Sequence, residues 1–336
     1  MMELIAQPDG EWSSTEIVRE PPGTGVSRRA VARRRLPLAR AALAGCRLCE
    51  HRCGVNRLQG EHGLCKAGAQ ARVFSAQVEV ADELEIIPTF AIALSGCDLR
   101  CAFCITGEAS WNPHVGEEFS PEALAAEALT ALADGARTIT ILGGEPAIHL
   151  PTVLEIVAAL PDDALLVWKT NAHATAEARA LLDGLFDVWL PDFKFGNDEC
   201  ARRIARVPVY TRVVQENLRW MAGRRSGVSE ERCSTVFPEG RWRRSPETPL
   251  RDTALANRES ELIVRHLLLP GHVECCWRLI AAWLAEELPG VKVSLRTEYW
   301  PAWQASRHIE LRGAITETER RRAGDIAQEF ALNLIA

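Results

Sequence analysis

Lysine is scarce in this chain: of 39 basic residues only four are lysine (Lys66, Lys169, Lys194 and Lys292), the rest arginine. A genome biased toward arginine codons explains the shortage, and it makes any lysine at a motif more informative. Positive charge is not in excess either. With 39 basic and 45 acidic residues the formal charge is −6, which argues against a dedicated nucleic-acid binder. No apolar run approaches the ~18–20 residues needed to span a bilayer, and the N-terminus has no apolar signal-peptide core, Glu3, Asp9, Glu11 and Glu16 preceding its arginine cluster. No internal repeat is visible. A secreted or membrane-spanning protein is thereby disfavoured, and a cytoplasmic one expected.

What the chain has is apolar residues at 47%, enough for a sizeable core, and eleven cysteines. Seven of these lie between Cys46 and Cys104. In a cytoplasmic chain, clustered thiols point to metal binding rather than disulfides.

The chain divides into a flexible basic leader (1–40), a cysteine-rich metal module (41–80), a large α/β unit (81–315) and a C-terminal helix (316–336). Short apolar runs at Thr89–Leu94, Thr138–Leu142, Leu165–Lys169, Asp187–Asp192, Leu262–Leu269 and Val291–Arg296 read as strands. Helical patterns lie between them. The clearest starts at Ser120-Pro121-Glu122, an N-cap followed by proline at the first helical position, and stops near Gly135. Others lie near Thr175–Leu182, Asp198–Arg206, Val213–Met221 and Val273–Glu287, with a terminal helix over Glu317–Leu334. Strands alternating with helices predict a parallel sheet or an open barrel. Residues 223–260, rich in Gly, Ser, Pro and Arg, read as an inserted loop.

Two motifs carry chemistry. Cys97-x3-Cys101-x2-Cys104 follows the first predicted strand directly. Three thiolates on a tight loop can each hold one iron of a cubane cluster, leaving the fourth iron for substrate. A zinc site is the rival, but it needs a fourth ligand. Gly143-Gly144-Glu145-Pro146 follows the second strand. Its glycines let backbone approach a ligand, and its carbonyls can accept from an ammonium group.

Together these motifs resemble the radical S-adenosylmethionine superfamily, over about Cys46 to Trp303. Within it the chain looks most like the relatives of pyruvate formate-lyase activating enzyme. The segments 94–101 (Leu-Ser-Gly-Cys-Asp-Leu-Arg-Cys), 143–151, 168–171 (Trp-Lys-Thr-Asn), 190–198 and 264–271 support the narrower match. The resemblance implies a partial (β/α)6 barrel that binds a 4Fe-4S cluster through Cys97, Cys101 and Cys104. It implies reductive cleavage of S-adenosyl-L-methionine to methionine and a 5′-deoxyadenosyl radical that abstracts hydrogen from substrate. Gly143, Gly144 and Glu145 are then expected to face the methionyl amino group, Asn171 the ribose, and Lys194 and Arg265 the carboxylate, with Asp192 completing an Asp-x-Lys motif. The alternative for Lys194 and Arg265 is an ordinary barrel-rim ion pair with Asp192. His149 and His266 read as satisfied structural histidines. Trp111, Trp168, Trp189, Trp300 and Trp303 line the site or, more commonly for barrel strands, fill the core.

The implied partners are a one-electron donor of flavodoxin or ferredoxin type and a substrate. The substrate is a protein in a glycyl-radical activase; a small molecule or peptide is the alternative, and a non-catalytic zinc or iron–sulfur scaffold a third. Two departures leave it open. Lys169 stands where activating enzymes often have an acid that helps bind a monovalent cation, and its ammonium is expected to replace that cation. Ile105-Thr106-Gly107-Glu108 replaces the usual polar pair after the last cysteine.

Upstream, Cys46-x2-Cys49-x3-Cys53-x11-Cys65, with Gly54, Gly60 and Gly63 for tight turns, suits zinc or a second iron–sulfur cluster. His51 and His62 are substitute ligands. Cys200, Cys233, Cys275 and Cys276 have no supporting pattern, and the adjacent pair reads as packing.

Overall fold

The computed structural model describes residues 27–223 and 260–335. Residues 1–26, and the predicted insert 223–260 apart from its two ends, lie outside the described residues. The remainder of the expected leader is ordered structure. Helix α1 (Arg28–Ala41) opens on Ser27, whose Oγ accepts the Ala30 N–H at 3.0 Å. Arg28 is buried. Its guanidinium pairs with Asp187 at 2.8 Å and donates to the Ala164 carbonyl at 2.7 Å. The expected flexible leader is helical from Arg28 because that arginine finds its carboxylate partner far along the chain.

Among the described residues eight strands form one sheet in sequence order. Strand β1 (Val73–Glu79) is antiparallel to β2 (Thr89–Leu94). Then β3 (Thr138–Gly143), β4 (Leu166–Thr170), β5 (Val188–Pro191), β6 (Glu261–Leu267), β7 (Lys292–Arg296) and β8 (Asn333–Leu334) follow in parallel. The predicted strands are β2 to β7. Two strands were missed because neither is an apolar run: β1 is largely half-buried and β8 is exposed. Strand β1 joins the sheet, so the barrel starts at Val73 and not at residue 81.

The short α2 (Glu108–Trp111) follows the cysteine loop. Helix α3 (Pro121–Ala133) starts as predicted, Ser120 Oγ accepting the Ala123 N–H at 3.3 Å. Helix α4 (Leu150–Ala159) packs against α1. The rest are α5 (Ala176–Leu182), α6 (Asp198–Ala205), α7 (Thr211–Ala222), α8 (Arg278–Glu287) and α9 (Glu317–Glu329). A capping box of Thr316 and Glu319 opens α9. This helix ends short of the predicted Leu334: Ala331 takes a left-handed φ of 48° and the chain turns into β8.

The barrel interior is layered. Val167 (β4), Val188 and Leu190 (β5) and Ile263 (β6) pack around Ile86 from the β1–β2 connection, all fully buried. Side chains two residues apart on a strand share a face. Lys169, Asp192 and Arg265 therefore stack directly above Val167, Leu190 and Ile263, toward the C-terminal ends of the strands. An apolar floor thus carries a charged layer.

Candidate active site

The cysteine loop leaves β2 through Gly96, whose φ of 88° favours glycine. Cys97 and Cys101 are buried and Cys104 is half-buried. Arg100 fastens the loop. Its guanidinium donates to the Cys97, Leu99 and Leu64 carbonyls at 2.6, 2.9 and 2.6 Å. The backbone N–H groups of Arg100 and Ala102 donate to the Ala205 and Ile204 carbonyls at the end of α6, at 3.0 and 2.9 Å. Cys97 Sγ accepts from the Leu99 N–H at 3.3 Å and from Asn171 Nδ2 at 3.7 Å. Burial pushes the Cys97 thiol well above its ordinary value and Cys101 up to about 12. Both would stay neutral without a metal, whose charge is what makes a buried thiolate stable.

The two glycines meet protein backbone. A Cβ on Gly143 would fall 2.1 Å from the Leu94 carbonyl oxygen, and one on Gly144 2.0 Å from that of Gly96. They let the β3 loop close onto the end of β2. Glu145 sits behind them, fully buried. Its carboxylate accepts from Ala147 N–H at 3.0 Å, Thr170 Oγ1 at 2.8 Å and Asn171 N–H at 2.7 Å. Burial, then the Asp98 charge, pushes it up to about 8.

Asn171 is likewise committed to the protein. Its Nδ2 donates to Asp98 Oδ1 at 2.7 Å and its Oδ1 accepts the His173 N–H at 2.9 Å. Asp98 is a residue that motif reasoning missed. It is buried, pairs with His173 Nδ1 at 2.8 Å, and its carbonyl meets His51 Nε2 at 3.0 Å. Burial opposes the His173 cation, but Asp98 prevails and raises that imidazole.

Across the barrel mouth Lys194 pairs with Asp192 at 2.5 Å. Burial disfavours the Lys194 ammonium, yet Asp192 holds it above the usual lysine value. Arg265 faces Asp82 at 3.3 Å, Glu83 at 3.4 Å and Asp192 at 4.0 Å. Lys169 pairs with Asp82, so an acid from the β1–β2 connection meets the unexpected lysine. Ser294 of β7 donates to Glu83 at 2.8 Å. Asp82 and Glu83 were not foreseen; the only signal was a cluster of acids just before a strand.

A single cavity of about 540 Å³ is lined by Cys97, Cys101, Cys104, Gly143, Gly144, Asn171, Asp192, Lys194 and Arg265. Asp82, Lys169, Trp111 and Trp300 also line it. Glu145, expected to face it, does not. Trp168 and Trp189 are core residues. His149 and His266 are buried, hydrogen-bonded to the Ser95 and Phe193 carbonyls.

The cysteine module lies beside this site. The Gly54 N–H donates to the Cys46 carbonyl and the Cys46 N–H to that of Val55, both at 2.9 Å. Arg57 donates to the Ile148 carbonyl at 2.6 Å, pinning the module under the turn that follows Glu145. Cys46, Cys49 and Cys65 are buried and Cys53 is exposed. Among the described residues, no three of the four place their sulfurs within 4.8 Å of one another, as ligands of one ion would. His51 groups instead with Asp98 and His173. Of the cysteines without a pattern, Cys233 lies outside the described residues. Cys200, left without a pattern, and the adjacent Cys275 and Cys276, read as packing, converge on His272.

The three-cysteine loop thus stands at the C-terminal end of the first parallel strand of an α/β sheet. Residues 92–230 match the model of the Radical SAM superfamily. It is 26% identical over 308 residues to an uncharacterized protein of Methanocaldococcus jannaschii, MJ0674, covering 90% of this chain and 79% of that one. Streptococcus suis SuiB bound to precursor peptide SuiA is similar at 12% identity and a TM-score of 0.46, over 71% of this chain. The chain spans 46% of SuiB. A domain of pyruvate-formate lyase-activating enzyme from Bacteroides vulgatus is similar at 17% identity and a TM-score of 0.40, over 59% of this chain and 96% of that domain. Among the described residues no helix is long and apolar enough to cross a membrane.

Proposed function

We propose that the chain is a radical SAM enzyme of the glycyl-radical-activase type, its site built on Cys97, Cys101 and Cys104. The observation that carries this reading is the meeting of those three thiols with Lys194, Arg265 and the Gly143-Gly144 backbone in one cavity. The donor set fits a four-iron cluster. Three thiols reach the cavity, so one iron would face it without a cysteine, and Leu99 and Asn171 supply N–H groups to the Cys97 sulfur. When bound, the cluster and S-adenosylmethionine supply one-electron cleavage of the sulfonium and abstraction of hydrogen from substrate.

The residues around them orient and exclude water. Lys194 and Arg265 offer charged donors to a carboxylate, and the Gly143-Gly144 carbonyls offer acceptors to an ammonium. Glu145 and Asn171 act as positioning residues that hold the glycine turn and the cysteine loop together. Four thiols at Cys46, Cys49, Cys53 and Cys65 form a second donor set. Zinc or a second iron–sulfur cluster would suit that set. A protein substrate is favoured by the mouth of the cavity, where Ile105 and Trp300 are 70% and 65% exposed. A protein loop entering the barrel would cover them.

The test is anaerobic. Wild type and Cys101→Ala are reconstituted with iron and sulfide, reduced, given S-adenosylmethionine and assayed for 5′-deoxyadenosine. Product from wild type alone is expected. A wild type that holds a full cluster and binds S-adenosylmethionine yet forms no product would overturn the reading.

A further inference from the structure

Cys200 lies in the first turn of α6, and His272, Cys275 and Cys276 lie in the turn between β6 and α8. That turn is a π-helical segment, Val273–Trp277. Its wider winding brings consecutive cysteines round to one imidazole; such segments recur at functional sites. His272 Nδ1 is 3.5 Å from Cys200 Sγ, 3.3 Å from Cys275 Sγ and 3.7 Å from Cys276 Sγ. Cys200 Sγ and Cys275 Sγ are 3.9 Å apart. The four donor atoms all lie within 4.8 Å of one another.

These spacings can be compared with a tetrahedron. Zinc–sulfur bonds of about 2.3 Å and zinc–nitrogen bonds of about 2.0–2.1 Å give S···N edges of about 3.5 Å and S···S edges of about 3.8 Å. The three S···N edges, at 3.3–3.7 Å, bracket the first value, and the Cys200–Cys275 edge of 3.9 Å lies beside the second. A disulfide would bring two sulfurs to about 2.05 Å, well inside the observed separation.

The surroundings are those of a ligand set. Cys200, His272 and Cys276 are buried and Cys275 half-buried. Asn197 Nδ2 donates to Cys200 Sγ at 3.3 Å and lies 3.8 Å from Cys276 Sγ, the bonds that orient metal-bound thiolates. The same amide nitrogen donates to the Cys275 carbonyl at 2.6 Å, tying the two segments together. Gly196 is needed there, since a Cβ would fall 2.3 Å from the Cys276 carbonyl oxygen.

We propose that Cys200, His272, Cys275 and Cys276 bind one zinc ion in a closed structural site. Three soft thiolates and an imidazole select zinc over magnesium, calcium or manganese. With four protein ligands the ion has no open position for substrate. Its role follows from α6. One end of that helix carries Cys200, and the other carries the Ile204 and Ala205 carbonyls on which the cysteine loop of the barrel is hung. The ion fastens α6 to the β6–α8 turn and so steadies the support of that loop.

The experiment uses the full chain, isolated anaerobically with zinc supplied, with zinc and iron counted per chain. The double variant Cys200→Ser/Cys276→Ser is compared with wild type and with Cys46→Ser/Cys49→Ser, which tests the separate upstream donor set. The expected result is one zinc equivalent lost in the first variant, with iron unchanged. Because that variant can fail to fold, wild type is also alkylated with iodoacetamide before and after zinc chelation, and the peptides are mapped. Zinc binding predicts that Cys275 is protected until chelation and labelled after it. Unchanged zinc in a folded Cys200/Cys276 variant, or Cys275 labelling that ignores chelation, would overturn the proposal. Neither readout depends on S-adenosylmethionine cleavage.

Discussion

Gly144 has its Cα where no side chain fits, because the end of β2 and the start of the cysteine loop press against it. Gly144→Ala would place a methyl 2.0 Å from the Gly96 oxygen, and backbone must move. We expect a loss of about 2–4 kcal/mol, read as a lower urea midpoint at unchanged slope. Gly324, within α9, has open space around it. Gly324→Ala should therefore gain about 0.5–1 kcal/mol in the same measurement. An unchanged midpoint for Gly144→Ala would mean that the turn is slack. At this scale the sequence named the cavity's three thiols and two turn glycines because such residues leave compact local patterns. It did not separate residues that face the cavity from those that hold it. Glu145 stands in the right motif, yet its carboxylate is turned inward onto Thr170, whereas Asn171 lines the cavity while its amide is held by Asp98.

The β1–β2 connection is the element that sequence reading passed over. It carries Ile86 into the barrel floor and Asp82 and Glu83 into the charged layer above. Burial opposes the Asp82 charge, but Lys169 and Arg265 hold its carboxyl well below the usual range. Glu83 moves the other way: burial, then the Asp82 carboxylate, pushes it up to about 7. The folded chain thus keeps a proton on Glu83 at pH values where the unfolded chain, with an ordinary value near 4.3, has released it. This contribution is fully present below about pH 4 and fades as pH rises through about 7. Glu83→Gln should flatten the decline between pH 5 and 8 by on the order of 2 kcal/mol, read from urea midpoints across pH. Parallel pH profiles for wild type and variant would refute the assignment. The predicted replacement of a cation by Lys169 acquires a partner here, since its ammonium is neutralised by Asp82.

For the molecule as a whole, α1 belongs to the barrel. Arg28 is 1% exposed and Asp187 beside it carries the N–H of Leu166 as well, so the pair joins helix, sheet and loop. Arg28→Ala removes the buried guanidinium that pairs with this carboxylate. We expect a cost of about 3–5 kcal/mol for the whole unfolding transition, with the slope in urea unchanged. If α1 were an independent leader, the midpoint would stay where it is.

The sequence by itself determined the strand–helix alternation from β2 to β7, the cysteine triplet after the first of those strands, and the start of α3. Each is written within a few consecutive residues, as an apolar run, a ligand spacing or a cap. Only the tertiary structure decided the rest. It set Arg28 against Asp187, Lys169 against Asp82, and Cys200 among His272, Cys275 and Cys276. These partners are distant in the chain, and burial, not spacing, makes each of them find the other.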